Sequence, residues 1–565
     1  MFAAHRLAAA VLVVLLQCAC APRSGSPFAL DSAVVRPGKS AVIFFVDGLD
    51  RAVFEEMLAA GELPAIHERF VVGGVGVERA VASLPPVTYA NSVSILTGTF
   101  PGHHGILGNE WFDPVRLLYR DYGRASTYQK VNGDFPVPTI YELLSDHFTV
   151  NVQCHTRRGV TATTDNKLAS LVDWGLGRFS NVDKRVGERI DRVFALSRKA
   201  RRWPTILLNY FPGVDACGHM YGPESTQYRN ALHVVDAAIG EIADAIEAAG
   251  LRPDTYFVLV TDHGMTERED ERTADVAAWL RSRHGWHVFR GRGISGDFAV
   301  RHSRLERCDA VIVNSRRCLQ IHLRGEADWP NSRSSTNIER VSGAPGGEAS
   351  RYRDGLLERP GVGLVCSRAG PGRVRVESAR GAAIVEKTRA GEGVVYRLTH
   401  DRRGSDPDDP PHGAGGFLGY RTTPELAEFV DSGWHSSREW LAATIATDYP
   451  DLVPQVVEMF ASPRAGDLVI FAAEGWSFKS RMRGGHGSCH AEDMIIPMYF
   501  AGPGLARGGT ISHARSVDVM PTILDLLGEL ERLSAHGSID GVSIAPELNR
   551  ARTNKLDNFL RNGRN

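Results

Sequence analysis

Three short apolar runs in this chain each lead to an acidic residue, and that repetition constrains the fold more than any other feature. Ser40–Val46 runs into Asp47-Gly48, Thr205–Tyr210 leads to Asp215, and Tyr256–Thr261 runs into Asp262-His263-Gly264. Runs of five to seven residues rich in β-branched and aromatic side chains read as strands buried on both faces, hence a parallel sheet. Asp467–Phe471 and Ile495–Phe500 read the same way. Helical segments lie between the runs. Thr139 to Glu142 forms a capping box, and Tyr228–Ala249 places Leu232, Val235, Ile239, Ile242 and Ile246 on one face before stopping at Gly250. Alternating strand and helix predict an α/β fold: a doubly wound, mostly parallel sheet with helices on both faces. Ligands of such a sheet bind at the carboxyl ends of its strands.

The 565 residues exceed one ordinary domain. The strand–helix rhythm breaks from about 266 to 464, where Gly, Pro, Ser and Arg are dense around 331–353 and 402–411. Arg373–Glu377 and Val394–Leu398 still read as strands there, and Ser436 with Glu439 caps a helix. The expected organisation is a core in two parts, 38–265 and 465–549, around an inserted cap at 266–464, with a tail at 550–565. With 65 basic and 66 acidic residues the net charge is −1, so no overall field recruits nucleic acid. Residues 1–20 hold Arg6 and an apolar run, Leu7–Leu16, too short to span a bilayer. The segment resembles a bacterial lipoprotein signal, with Cys20 or Cys18 as lipid carrier. This implies export to the periplasm or outer membrane, plain secretion being the alternative, and any membrane contact would be through that anchor. The other six cysteines lack CxxC spacing, so zinc-finger and thioredoxin readings fail; Cys308 and Cys318 are the nearest pair.

Asp47, Thr88, Asp215, His219, Asp262, His263 and His486 all fall where a strand is expected to end. A single Asp there is ordinarily a turn residue, and Thr88 alone reads as a helix N-cap. Together, three carboxylates, three imidazoles and a hydroxyl make two metal sites with N and O donors, a set suited to Zn²⁺, with Mn²⁺ or Fe as substitutes. Two such ions clamp the attacking and leaving oxygens of a phosphoryl displacement, and a hydroxyl held on one becomes a nucleophile.

These motifs resemble the alkaline phosphatase superfamily, and within it the type I phosphodiesterase / nucleotide pyrophosphatase branch. The matching stretches are Phe45–Gly48, Thr88–Asn91, Leu96–Gly98, Pro101–Ile106, Asp215–His219 with Gly222-Pro223, Thr261–Met265 and Gly485–Gly487, in family order. The resemblance implies that Asp47, Asp262, His263 and Thr88 bind one zinc, Thr88 also being the nucleophile. Asp215, His219 and His486 would bind the second, which activates the water that hydrolyses a phosphothreonine intermediate. It places Asn109 where the family donates to a phosphate oxygen, and Tyr89 and Tyr210 where nucleotide-cleaving relatives hold a base. Two core tyrosines are the alternative there. Ala90 stands where relatives have Pro. The implied substrate is a small phosphate diester or nucleotide.

A phosphomonoesterase is the nearest competing activity. Monoesterase relatives add basic residues, for which Arg157 and Arg158 are candidates, a solvated loop being the other reading. His103 and His104 are expected to shape the turn before Asn109, and His490 to lie on a surface loop. Sulfatases need a C/S-x-P-x-R motif that Thr88–Ser92 lacks. Mutase relatives are normally cytosolic, and phosphoethanolamine transferases carry several membrane spans. A non-catalytic metal-binding surface protein would keep the fold but lose a ligand or nucleophile.

Overall fold

The computed structural model describes Phe28, Leu30 and residues 32–553, apart from 125, 166, 270–271, 292–304, 306, 325–328, 330–354, 392, 401–415, 480–481, 536 and 538. Residues 1–20, expected to be a signal, with both candidate lipid-carrying cysteines, the two Gly/Pro-rich stretches and nearly all of the tail lie outside the described residues.

The main sheet runs, in spatial order, Arg552–Thr553, Gly509–Arg515, Val75–Val81, Met498–Ala501, Thr255–Val260, Ser40–Val46, Ile206–Phe211, Thr149–Val152 and Ala162–Thr163. Ser40–Val46 lies parallel to both neighbours, with Phe45 opposite Tyr210 on one side and Val260 on the other. Its alternating side chains explain the double winding. Val42, Phe44 and Val46 pack with Ile239, Ile242 and Ile246 of the Thr226–Ala248 helix on one face. Ala41, Ile43 and Phe45 pack with Ile95, Leu96, Ile523 and Leu524 on the other. A strand with both faces covered has no solvated side, which is why its sequence is apolar throughout. The expected α/β architecture is therefore present.

Two strands depart from expectation. Met498–Ala501 is antiparallel to both Thr255–Val260 and Val75–Val81. Leu468–Ala472 is not in the main sheet at all. It lies antiparallel between Cys318–Leu323 and Val362–Gly370, in the middle of a second sheet. Both runs are apolar because both are covered on two sides, and strand direction leaves no mark on composition. The second sheet continues through Arg373–Ser378, Gly381–Ala390 and Gly393–His400 to His435–Ser436, so the chain between Val288 and Ala472 builds a layer of its own. The Ser436–Glu439 capping box is present, and the Leu452–Met459 helix packs with Val376, Val385 and Leu398 of that sheet. Among the described residues no disulfide is formed, and none joins Cys308 to Cys318. No helix of the described residues is long and apolar enough to cross a membrane.

Candidate active site

Asp47 is the first residue past its strand, its N–H donating to the Phe211 carbonyl at 3.0 Å. Gly48 turns the chain with φ +62°, and a Cβ there would lie 2.8 Å from Asp215; only glycine has both the backbone freedom and the space. The Gly48 N–H donates to Oδ1 of Asp262 at 3.1 Å, coupling the ends of adjacent strands. Asp215 and His219 stand one turn apart on the Gly213–Tyr221 helix and share a face. Thr88 opens the Thr88–Thr97 helix as its first helical residue. The cap position belongs to Val87, so the Thr88 side chain caps nothing. Its Oγ1 lies 3.3 Å from Nε2 of His263.

The seven residues converge. Asp47, Asp262 and His263 form one group whose donor atoms could hold a metal ion; Asp215, His263 and His486 form another. Nε2 of His219 is 3.1 Å from Oδ1 of Asp215. The rings of His263 and His486 stack at 3.4 Å, and those of His219 and His486 at 5.0 Å. Each imidazole is oriented from behind. Nδ1 of His219 donates to the Gly484 carbonyl, that of His263 to Gly264 and that of His486 to Pro86, at 2.8–2.9 Å. A carbonyl only accepts, so Nδ1 carries a proton in each ring and Nε2 faces the site, where a neutral ring would offer its lone pair.

The carboxylates face the same point. Asp47 Oδ1, Asp215 Oδ1 and Asp262 Oδ2 are buried without a hydrogen-bond donor. Burial of three oxygen lone pairs against three nitrogen lone pairs is repulsive unless cations lie among them, so the donor set fits divalent metal. The electrostatics agree. Burial and the charges of Asp262 and Asp215 push Asp47 well above the usual carboxylate range, and burial pushes Asp262 up to about 7. Burial and the neighbouring His263 hold His486 well below an ordinary imidazole. Cations are the natural remedy for carboxylates crowded in this way.

Around this centre, the amide oxygen of Asn109 accepts the Tyr89 N–H at 3.0 Å, which leaves its NH₂ group available beside the start of the Thr88 helix. Tyr210 is buried and its hydroxyl donates to Oδ2 of Asp47. Tyr89 is half-buried and stacks on Tyr122 at 4.8 Å. Among the described residues no ring contact joins Tyr89 to Tyr210. The ring of His155 stands against both, at 4.0 Å and 5.3 Å, and its Nε2 meets Ser92 Oγ at 2.8 Å. Burial, reinforced by Arg157, lowers His155 to about 3, so it is neutral.

Sequence reasoning passes over His155, although it follows the Thr149–Val152 strand as Asp47 and Asp262 follow theirs. Arg157 is paired with Asp165 at 2.5 Å, and Arg158 with Glu142 and the carbonyls of Phe135 and Val137. Both are committed to structure. His104 bonds Ser94 and the Ile106 N–H inside its turn. His490 precedes the Ala491–Met494 helix, half-buried with its ring 4.6 Å from Tyr449.

The loop carrying His486 is braced by the second sheet. The Arg317 N–H donates to the His486 carbonyl at 3.2 Å, and the Arg317 guanidinium pairs with buried Asp493 at 3.2 Å. Asp493 also accepts the Ser488 N–H and the Thr266 hydroxyl.

The family model for type I phosphodiesterase / nucleotide pyrophosphatase matches residues 41–334. The chain belongs to that family. The matched region includes Asp47, Thr88, Asn109, Asp215, His219, Asp262 and His263, while His486 lies beyond it. Similar relatives include an uncharacterised pyrophosphatase/phosphodiesterase of Schizosaccharomyces pombe, 28% identical over 198 residues, 34% of this chain and 39% of that one. The bis(5'-adenosyl)-triphosphatase of Homo sapiens is 25% identical over 252 residues, 44% and 52% of the two chains. The ectonucleotide pyrophosphatase/phosphodiesterase family member 1 of Mus musculus is 28% identical over 189 residues, 32% and 19%. The match thus spans about half or less of each relative's length.

Proposed function

We propose that this member of the type I phosphodiesterase / nucleotide pyrophosphatase family is a two-zinc hydrolase of phosphate diesters or nucleotide pyrophosphates, acting through a phosphothreonine at Thr88. The observation that carries the reading is the placement of the Thr88 hydroxyl between the start of its helix and the His263 face of a ring of unsatisfied carboxylate oxygens and imidazole nitrogens. Asp47, Asp262 and His263 with Thr88 would hold one ion, and Asp215, His219 and His486 the other. When bound, these ions would polarise the phosphoryl oxygens and lower the pKa of the Thr88 hydroxyl and of water.

The chain's own groups do the rest. Thr88 Oγ1 attacks phosphorus and the alcohol or phosphate leaves. Water then displaces Thr88, so configuration at phosphorus is retained overall. The Asn109 NH₂ and the Thr88 N–H at the helix start stabilise charge developing on the equatorial oxygens. Tyr210, kept protonated by burial and by Asp47, fixes the rotamer of Asp47. Tyr89, half-buried and in ring contact with Tyr122 and His155, would support an aromatic leaving group. The commitment of Arg157 and Arg158 to ion pairs removes the basic pair that a monoesterase reading had drawn on. An N-terminal lipid anchor and export remain part of the proposal.

The test is kcat/KM of the zinc-loaded protein for an aryl phosphate diester and the matching monoester. A clear diester preference is expected. A monoester preference would move the protein to the phosphomonoesterase reading, and no turnover of any phosphate ester with both zincs bound would contradict it.

A further inference from the structure

The second sheet delivers a cation to the edge of this centre. Ala310–Ser315 and Cys318–Leu323 pair with Ser315 opposite Cys318, so Arg316 and Arg317 form a two-residue hairpin turn. Arg316 has φ +67°. Two-residue hairpins usually give such positions to Gly, Asn or Asp, because a Cβ is disfavoured there. Strain of this kind, held in place by its surroundings, marks functional positions. The surroundings hold it well. The Arg316 N–H donates to Asn314 Oδ1 at 2.9 Å, and its carbonyl accepts the Phe478 N–H at 2.7 Å.

The two turn arginines have different duties. Arg317 is buried and paired with Asp493. Arg316 is half-buried, and among the described residues no carboxylate pairs with it; a guanidinium N–H meets the Met482 sulfur, a weak acceptor. Its position is beside the metal ligands. A Cβ built on Gly485, which precedes His486, would lie 4.0 Å from the Cβ of Arg316, and Arg483, which follows Met482, donates its N–H to the His219 carbonyl at 2.9 Å. The charges acting on it are Asp215, Asp47 and Glu110, opposed by burial, which lowers its pKa without discharging it.

We infer that Arg316 is a specificity residue, whose guanidinium binds a phosphoryl negative charge beyond the single charge of a simple diester. The inference rests on the phosphoester-hydrolase reading and deepens it by naming the substrate class. The extra charge has two chemical sources: the second charge of a monoester's transferred phosphoryl group, or the leaving phosphate of a pyrophosphate.

The experiment measures kcat/KM for bis(4-nitrophenyl) phosphate, 4-nitrophenyl phosphate and a dinucleoside pyrophosphate, in wild type, Arg316→Ala and Arg316→Lys. Both substitutions keep a Cβ at the same φ, so the turn meets no new backbone demand. Arg316→Ala is expected to lower the ratio of a more highly charged substrate to the simple diester by about 10- to 100-fold, the range for a charge-assisted hydrogen bond. Arg316→Lys should fall between, since it keeps charge without the fork. A drop confined to the monoester assigns the guanidinium to the transferred phosphoryl, with parallel weakening of inorganic phosphate in calorimetry. A drop confined to the pyrophosphate assigns it to the leaving phosphate. Millimolar guanidinium should restore part of the ratio in Arg316→Ala, which a structural role would not allow. If Arg316→Ala fails to fold, Arg316→Lys carries the test alone. Ratios within about twofold of wild type for both charged substrates, with wild type active, overturn the inference. Wild type inactive on all three substrates overturns the hydrolase reading instead.

Discussion

The two sheets contribute to the site in different currencies. The main sheet supplies side chains: Asp47 and Asp262 stand just past neighbouring parallel strands, and Asp215 with His219 follows the Ile206–Phe211 strand on a short helix. The second sheet supplies backing and charge. Arg317 grips the His486 loop, and Arg316 adds a guanidinium that pairs with no carboxylate among the described residues. A ligand at a strand end is placed by the strand's own register, so a few residues of sequence specify it. A brace acts through contacts between segments far apart in the chain, such as Arg317 with Asp493, and leaves no local motif.

Removing a carboxylate supplied by the main sheet should have the largest effect. Asp262→Ala is expected to cut turnover on the order of 10⁴-fold or more and to reduce bound zinc, read by metal analysis of the purified protein. Full zinc occupancy in that variant would break the assignment of Asp262 as a ligand. Asn109→Ala should keep both metals and lower kcat by roughly 10²- to 10³-fold, as loss of a donor to developing charge does. An effect on KM alone would make Asn109 a ground-state binder.

The second sheet's part is smaller and more specific. Gly487 has φ +115°, and a Cβ there would lie 2.8 Å from the Ser315 carbonyl and 3.2 Å from the Cys318 nitrogen. Gly487→Ala should displace the His486 loop from the hairpin and weaken zinc binding about 10- to 100-fold, the usual cost of disturbing a ligand's support. Unchanged zinc affinity would show that the hairpin does not brace the ligand.

The smallest effect concerns the seam between the layers. His103 pairs with Asp540 and with Glu458 of the Leu452–Met459 helix, at 2.7 and 2.9 Å. Burial acts to lower its pKa, but these carboxylates outweigh it and raise it to about 10. The stabilisation is therefore fully present below the ordinary imidazole pKa of about 6.5 and lost as pH rises through about 10. Denaturation midpoints measured from pH 6 to 10.5 should fall less steeply in His103→Gln. A parallel fall in both proteins would remove His103 from the seam.

The same contrast explains what could be read from the chain alone. The double-wound core is legible because buried parallel strands are apolar on both faces, and the converging residues because they stand just past a strand, at a helix start or, for His219, one turn on from Asp215 in the short helix after a strand. Leu468–Ala472 was misplaced since an interior antiparallel strand has the same composition as a parallel one. His155 was passed over beside the more conspicuous Arg157 and Arg158, whose charges turn out to be spent on Asp165 and Glu142. Arg316 was invisible because its significance depends on a hairpin whose partner strands meet the His486 loop only in three dimensions.

The central claim, that Thr88 is the nucleophile of a metal centre held chiefly by the Asp and His residues around it, is tested most directly by measuring zinc content and turnover together in Thr88→Ala. The account predicts retained zinc and a loss of several orders of magnitude in kcat. Turnover near the wild-type value with zinc in place would contradict it.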